Sequence, residues 1–107
     1  MDKAEATQKM KAIAEKMIGE TDTAKKAELR REAMELIAET IKPEIAEMVR
    51  VIEDKPETTR GHYGDYMAIL GNYKGLYREA VILALKNAGG NIQGIDDAIN
   101  LLNPNSY

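Results

Sequence analysis

Arg60-Gly61-His62-Tyr63-Gly64-Asp65-Tyr66-Met67-Ala68-Ile69-Leu70-Gly71-Asn72-Tyr73-Lys74-Gly75-Leu76-Tyr77-Arg78 is the stretch on which the reading of this chain turns. It carries the single His, four of the five Tyr and four of the eight Gly of a 107-residue protein that has no Phe, Trp or Cys. On a helix, Tyr63, Tyr66, Leu70, Tyr73 and Tyr77 follow one another at steps of three and four and share one face. Gly64, Ala68, Gly71 and Gly75 repeat those steps about 100° round the axis, a flank bare enough to let a neighbouring helix come close. Phase continuity favours one helix over 62–88. Three glycines within twelve residues, each costing about 1 kcal/mol relative to Ala, and the turn-like pair Gly71-Asn72 favour a break instead. Helices at about 61–70 and 73–88 are therefore expected.

Downstream, Ala80-Val81-Ile82-Leu83-Ala84-Leu85 is apolar on every side, which makes 73–88 the central buried helix. Gly89-Gly90 closes it. Asn91 caps a last helix whose stripe is Ile92, Ile95, Ile99 and Leu102, and the tail 104–107 frays. Upstream, Asp54 to Arg60 reads as a hinge loop, with Pro56 barring helical geometry at Lys55 and Thr58 or Thr59 placed to cap the next helix. Before the hinge, Met34, Ile37, Ile41, Ile45, Met48 and Ile52 hold one phase straight through Pro43. A new helix starting at the proline would have no reason to keep that phase. One helix over about 23–53, kinked near Pro43, is the expectation, and Thr21, Asp22 and Thr23 offer its N-cap. Residues 2–18 form a first helix on the stripe Ala6, Met10, Ile13 and Met17, with Asp2 and Glu5 in the first turn and Gly19 as a left-handed C-terminal cap.

The fold class is thus all-α: an irregular bundle of four to six helices in a single domain over 1–107, with no repeats. Roughly 60–70% of the unfolded surface can be buried at this size, enough for a core without disulfides or metal. No apolar run approaches the roughly 18 residues of a membrane span, and residues 1–20 lack a signal-peptide core. The chain reads as soluble, intracellular and cytoplasmic.

Net charge is -3. Residues 1–57 carry 11 basic against 14 acidic side chains and residues 58–107 four of each, so there is no basic surplus to supply general nucleic-acid affinity. Chemistry is as thinly represented. His62 and Asp65 are three apart, but zinc needs three or four protein ligands and no second His or Cys exists. The only Ser is Ser106, with no base beside it, and Asp96 and Asp97 are adjacent and diverge. Neither a metal, a cofactor nor an enzymatic activity is expected. Glu28, Glu32, Glu35 and Glu39 line one helical face, with Lys25 and Arg31 in reach for ion pairs, and read as a solvated surface.

Two partial resemblances lie in the last third. Residues 81–103 have the outline of a helix-turn-helix, but Asp96 and Asp97 would stand where DNA phosphates lie. Ala84 to Ile92, with Ala98 and Leu101-Leu102, is faintly similar to the last turn of ubiquitin-associated three-helix modules. That likeness covers some twenty residues. The helix before it reads as too long and the hydrophobic loop ahead of it is missing, so no family is assigned on it.

What remains is an interaction protein whose candidate contact residues are Arg60, His62, Tyr63, Tyr66, Tyr73, Lys74, Tyr77 and Arg78. Tyrosine supplies large contact area at little rotamer entropy. The expected partner is another protein or a second copy of the chain (a homodimer), with no membrane involved. The alternative is a single-stranded nucleic acid or other phosphate ligand, for which rings flanked by cations form a stacking platform.

Overall fold

The computed structural model describes residues 2–57 and 61–102. Five helices run through them: α1 (Lys3–Gly19), α2 (Thr23–Glu53), α3 (Tyr63–Leu70), α4 (Gly75–Asn87) and α5 (Ile92–Leu102). The architecture is the expected all-α bundle. The Thr58 and Thr59 caps and the tail beyond Asn103 lie outside the described residues.

Short polar side chains start three of the helices. Asp2 accepts from the Glu5 amide at 2.8 Å, Asp22 from Ala24 at 2.8 Å and Lys25 at 3.4 Å, and Asn91 from Gly94 at 3.0 Å. Each satisfies an amide that the first turn leaves without a carbonyl. Gly19 differs from its expected role. It remains helical, and α1 ends where Glu20 turns extended, at φ -90° and ψ 128°. Left-handed glycine is used instead at Gly89 (φ +79°), in the turn after α4, and at Gly75 (φ +56°), where the chain enters α4.

Helix α2 is continuous through Pro43. The proline removes one backbone hydrogen bond and frees the carbonyl of Glu39. Both residues are exposed, so water can satisfy that carbonyl. The apolar phase survives the interruption: Ile37 lies on one side of Pro43 and Ile45, Val49 and Ile52 on the other, all buried. Met48 departs from the stripe and faces outward.

The break at Gly71 is real and consequential. After Leu70 the chain turns through Gly71, Asn72, Tyr73 and Lys74 before α4 begins. Amides of Gly71, Asn72 and Tyr73 bond the carbonyls of Met67, Ile69 and Leu70, closing the end of α3. The stripe Gly64, Ala68, Gly71 and Gly75 is exposed throughout, and among the described residues no helix packs on it. The close approach it suggested occurs elsewhere, at Gly90 and Gly94.

Two buried clusters share α2. The larger joins Ile45, Val49 and Ile52 to Tyr66 and Leu70 of α3, Val81, Ala84 and Leu85 of α4, and Ile95 and Ala98 of α5. The smaller joins Ile37 and Ala38 to Ala80, with Met10 of α1 packed against it. As expected, α4 is central: Ala80, Val81, Ala84 and Leu85 are all at most 2% exposed. The molecule is a slab of 50 × 36 × 18 Å. Its radius of gyration, 15.6 Å, exceeds the ~13 Å of a compact domain of this length. Among the described residues no helix is long and apolar enough to cross a membrane.

Candidate functional site

The break between α3 and α4 divides the candidate residues into two groups with different fates. The first faces the core. On α3, Tyr66 and Leu70 lie one turn apart and both are fully buried. The Tyr66 hydroxyl donates to Glu53 at the end of α2 and accepts from the Asn91 amide at 3.1 Å. That amide is shared with Glu53 Oε1, also at 3.1 Å. One phenol therefore joins α2, α3 and the α4–α5 turn. Gly90 and Gly94 make room for it: a Cβ at Gly90 would stand 2.7 Å from the Tyr66 oxygen, and one at Gly94 3.4 Å from ring carbon Cδ2. His62, 2% exposed, places Nδ1 3.7 Å from Asp65, which Lys55 pairs at 3.2 Å. Tyr66 and His62 are thus corrected from contact surface to core. The cause is that α3 packs chiefly against α5, and the face that carries Tyr66 turns into the cluster these helices share with the end of α2 and with α4. Tyr63 is half-buried beside them, and Arg60 lies outside the described residues.

Burial, and then the hydrogen bond to the Glu53 carboxylate, pushes the Tyr66 phenol up to about 12. An acid whose folded pKa is raised stabilises the fold fully below its unfolded value, ~10. That stabilisation is lost as pH rises through about 12. The expected result is a tyrosinate absorbance step near that pH that is missing from Tyr66→Phe. The variant should also show a shallower fall in melting temperature across the same interval. Superimposable titrations of the two proteins would refute the assignment.

The second group stays at the surface. Tyr73 and Tyr77 stack with ring centroids 6.5 Å apart and planes 9° from parallel. Tyr73 packs against the larger cluster, while Tyr77 is 53% exposed. Lys74, just before α4, is exposed. Arg78 turns inward: its Nε donates to the carbonyls of Leu70 at 3.1 Å and Tyr73 at 2.8 Å. Those oxygens belong to the end of α3 and the corner after it, so Arg78 holds the corner that presents the two rings.

Tyr77 also forms a wall of a cleft of about 390 Å³ lined by Lys3, Ala6, Thr7 and Met10 of α1 and Ile37, Thr40 and Ile41 of α2. None of these seven was a candidate from sequence, because each is an ordinary member of an amphipathic stripe or its edge. Only the docking of α4 against α2 brings them to Tyr77. The cleft has an apolar floor, an aromatic wall and a cation at its rim. It suits an apolar side chain approaching with negative charge beside it. Among the described residues no three His, Cys, Asp or Glu side chains are grouped so as to hold a metal ion.

Compared with protein-family models, curated proteins and solved structures, the chain matches none of them.

Proposed function

We propose that this chain is a non-enzymatic helical interaction protein that docks a protein partner at the cleft beside Tyr77. The observation that carries this reading is the pairing of Tyr77 with Tyr73: a ring 53% exposed, yet stacked at 6.5 Å on a second ring anchored in the core. Stacking fixes the ring before a partner arrives, so less side-chain freedom is lost on binding. Tyrosine is also among the residues that most often dominate interface energetics. Lys3 at the cleft and Lys74 at the start of α4 favour a partner segment with an apolar residue flanked by carboxylates.

The nucleic-acid alternative draws less support. A single-strand platform stacks successive bases on separate rings. Here Tyr66 is buried, Tyr73 lies against the core, and Tyr77 is the outer ring of the stack.

Selection of displayed peptides against the folded chain tests the reading. The expected winners carry an aliphatic or aromatic residue beside Asp or Glu, and bind Tyr77→Ala about tenfold or more weakly, equivalent to roughly 1.4 kcal/mol. Because Tyr77 is exposed, its removal should leave helix content unchanged. Winners indifferent to Tyr77→Ala would overturn the site, and salt-sensitive retention on an oligonucleotide column abolished by Tyr77→Ala would replace it with the alternative.

A further inference from the structure

Helix α1 is 17 residues long and buries one of them, Ala6. Ile13 and Met17 are only half-covered. Isolated helices of this length are marginal in water, and most helical stability in proteins comes from packing an apolar face. The packing α1 has is chiefly with α2, in an antiparallel hairpin: Thr7 and Met10 lie near Thr40 and Ile37, and Gly19 near Lys25 and Leu29. On the flank of the hairpin away from Tyr77 runs a second groove, with Ala12, Ile13 and Leu36 along its floor.

The walls of that groove carry opposite charge. The α1 wall presents Lys9 and Lys16, and the α2 wall presents Glu32, Glu35 and Glu39. Towards the hairpin tip the signs mix, with Glu15, Lys16 and Glu20 on the α1 side and Lys25, Glu28 and Glu32 on the α2 side. Among the described residues no ion pair closes across the groove; Glu35 pairs with Arg31 on its own helix. The Glu stripe that reads from sequence as a plain solvated face is therefore one wall of a two-sign channel.

We infer that this flank of the α1–α2 hairpin binds a second copy of the chain across a two-fold axis parallel to the groove. That operation lays the α1 wall of each copy over the α2 wall of the other. Lys9 then meets Glu39 and Lys16 meets Glu32 of the other copy, on both sides of the axis of an isologous interface. Every neighbouring helix pair in the resulting four-helix bundle is antiparallel, and half-covered Ile13 lies at its centre beside Leu36, which each protomer already buries. The hairpin face is about 25 Å long and about 20 Å wide, about 500 Å² before surface relief is counted, against the ~800 Å² per partner of a standard interface.

Light scattering on the purified chain should give twice 11.9 kDa, with association weakening as salt rises. The variant carrying Lys9→Glu and Lys16→Glu has two acidic walls, and that carrying Glu32→Lys and Glu39→Lys has two basic ones. Each alone should be a monomer with its helical circular dichroism retained. Mixed in equal amounts they should form a heterodimer, because acidic then covers basic on both sides of the axis. A wild type at 11.9 kDa throughout the micromolar range, or variants that self-associate like wild type, would overturn the inference. So would a mixture that stays monomeric. None of these outcomes bears on the Tyr77 cleft, which lies on the other flank of the hairpin and is read by peptide binding.

Discussion

Tyr66→Ala should destabilise the protein by about 3–5 kcal/mol, the range for truncating a large buried aromatic. Such a loss is a large share of the 5–15 kcal/mol that holds a typical domain together. Tyr66 is 0% exposed, and its ring touches the turn and first residues of α5 while its hydroxyl ties Glu53 to Asn91. Removing it opens a cavity at the junction of α2, α3 and α5. Tyr66→Phe separates the two contributions. It keeps the ring and leaves the Asn91 amide its second acceptor, Glu53 Oε1 at 3.1 Å. Its expected cost is about 0.5–1.5 kcal/mol, the net worth of one hydrogen bond. Urea unfolding of the three proteins measures both numbers. A Tyr66→Ala protein within about 1 kcal/mol of wild type would mean that the ring is not core, and with it the division of the tyrosines into buried and exposed would fail.

Gly90→Ala should cost about 1–3 kcal/mol, the range for forcing extra volume into a packed site. Alanine is ordinarily the better residue in a folded chain, so the sign is diagnostic. The added methyl would lie 2.7 Å from the Tyr66 oxygen and 3.4 Å from its Cζ and from Val49 Cγ1. The phenol cannot swing aside, because its ring is buried and its hydroxyl is held from two directions. The pair should therefore be coupled. In a Tyr66→Phe background, where the opposing oxygen is gone, Gly90→Ala should cost at least about 0.5 kcal/mol less. Strict additivity in that cycle would show that the two positions do not meet. Gly89 offers a control: it has open space around it, so substitution there acts through its φ of +79° and should be independent of Tyr66.

Much of this fold can be read from the chain because helix periodicity and helix ends are local. The phase of Ile37, Ile41, Ile45 and Ile52 across Pro43 foretells one long helix, and Gly71-Asn72 foretells the corner before α4. What periodicity cannot do is rank the tyrosines. Tyr66 and Tyr77 hold equivalent places on one extrapolated face, but the turn at Gly71–Lys74 resets the direction of the chain between them. One then falls among aliphatics from three helices and the other at the mouth of a cleft. Glycine is ambiguous in the same way. Gly90 punctuates the end of α4 and, unseen in the sequence, also makes room for a phenol twenty-four residues before it. Arg78, grouped from sequence with the surface cations, closes the end of α3 instead, since which carbonyls are left over depends on where that helix stops. The cleft itself is assembled from α1, α2 and α4, and no single segment encodes it.

The slab is only 18 Å through, less than twice the ~10–12 Å diameter of one helix with its side chains. Its accessible area of 7213 Å² stands above the roughly 6,000 Å² typical of a monomer of this mass. Unfolding then uncovers comparatively little, which makes for a small heat-capacity change and a weak response to denaturant per residue. The free-energy curve of such a molecule is broad and shallow, so warming erodes it gradually.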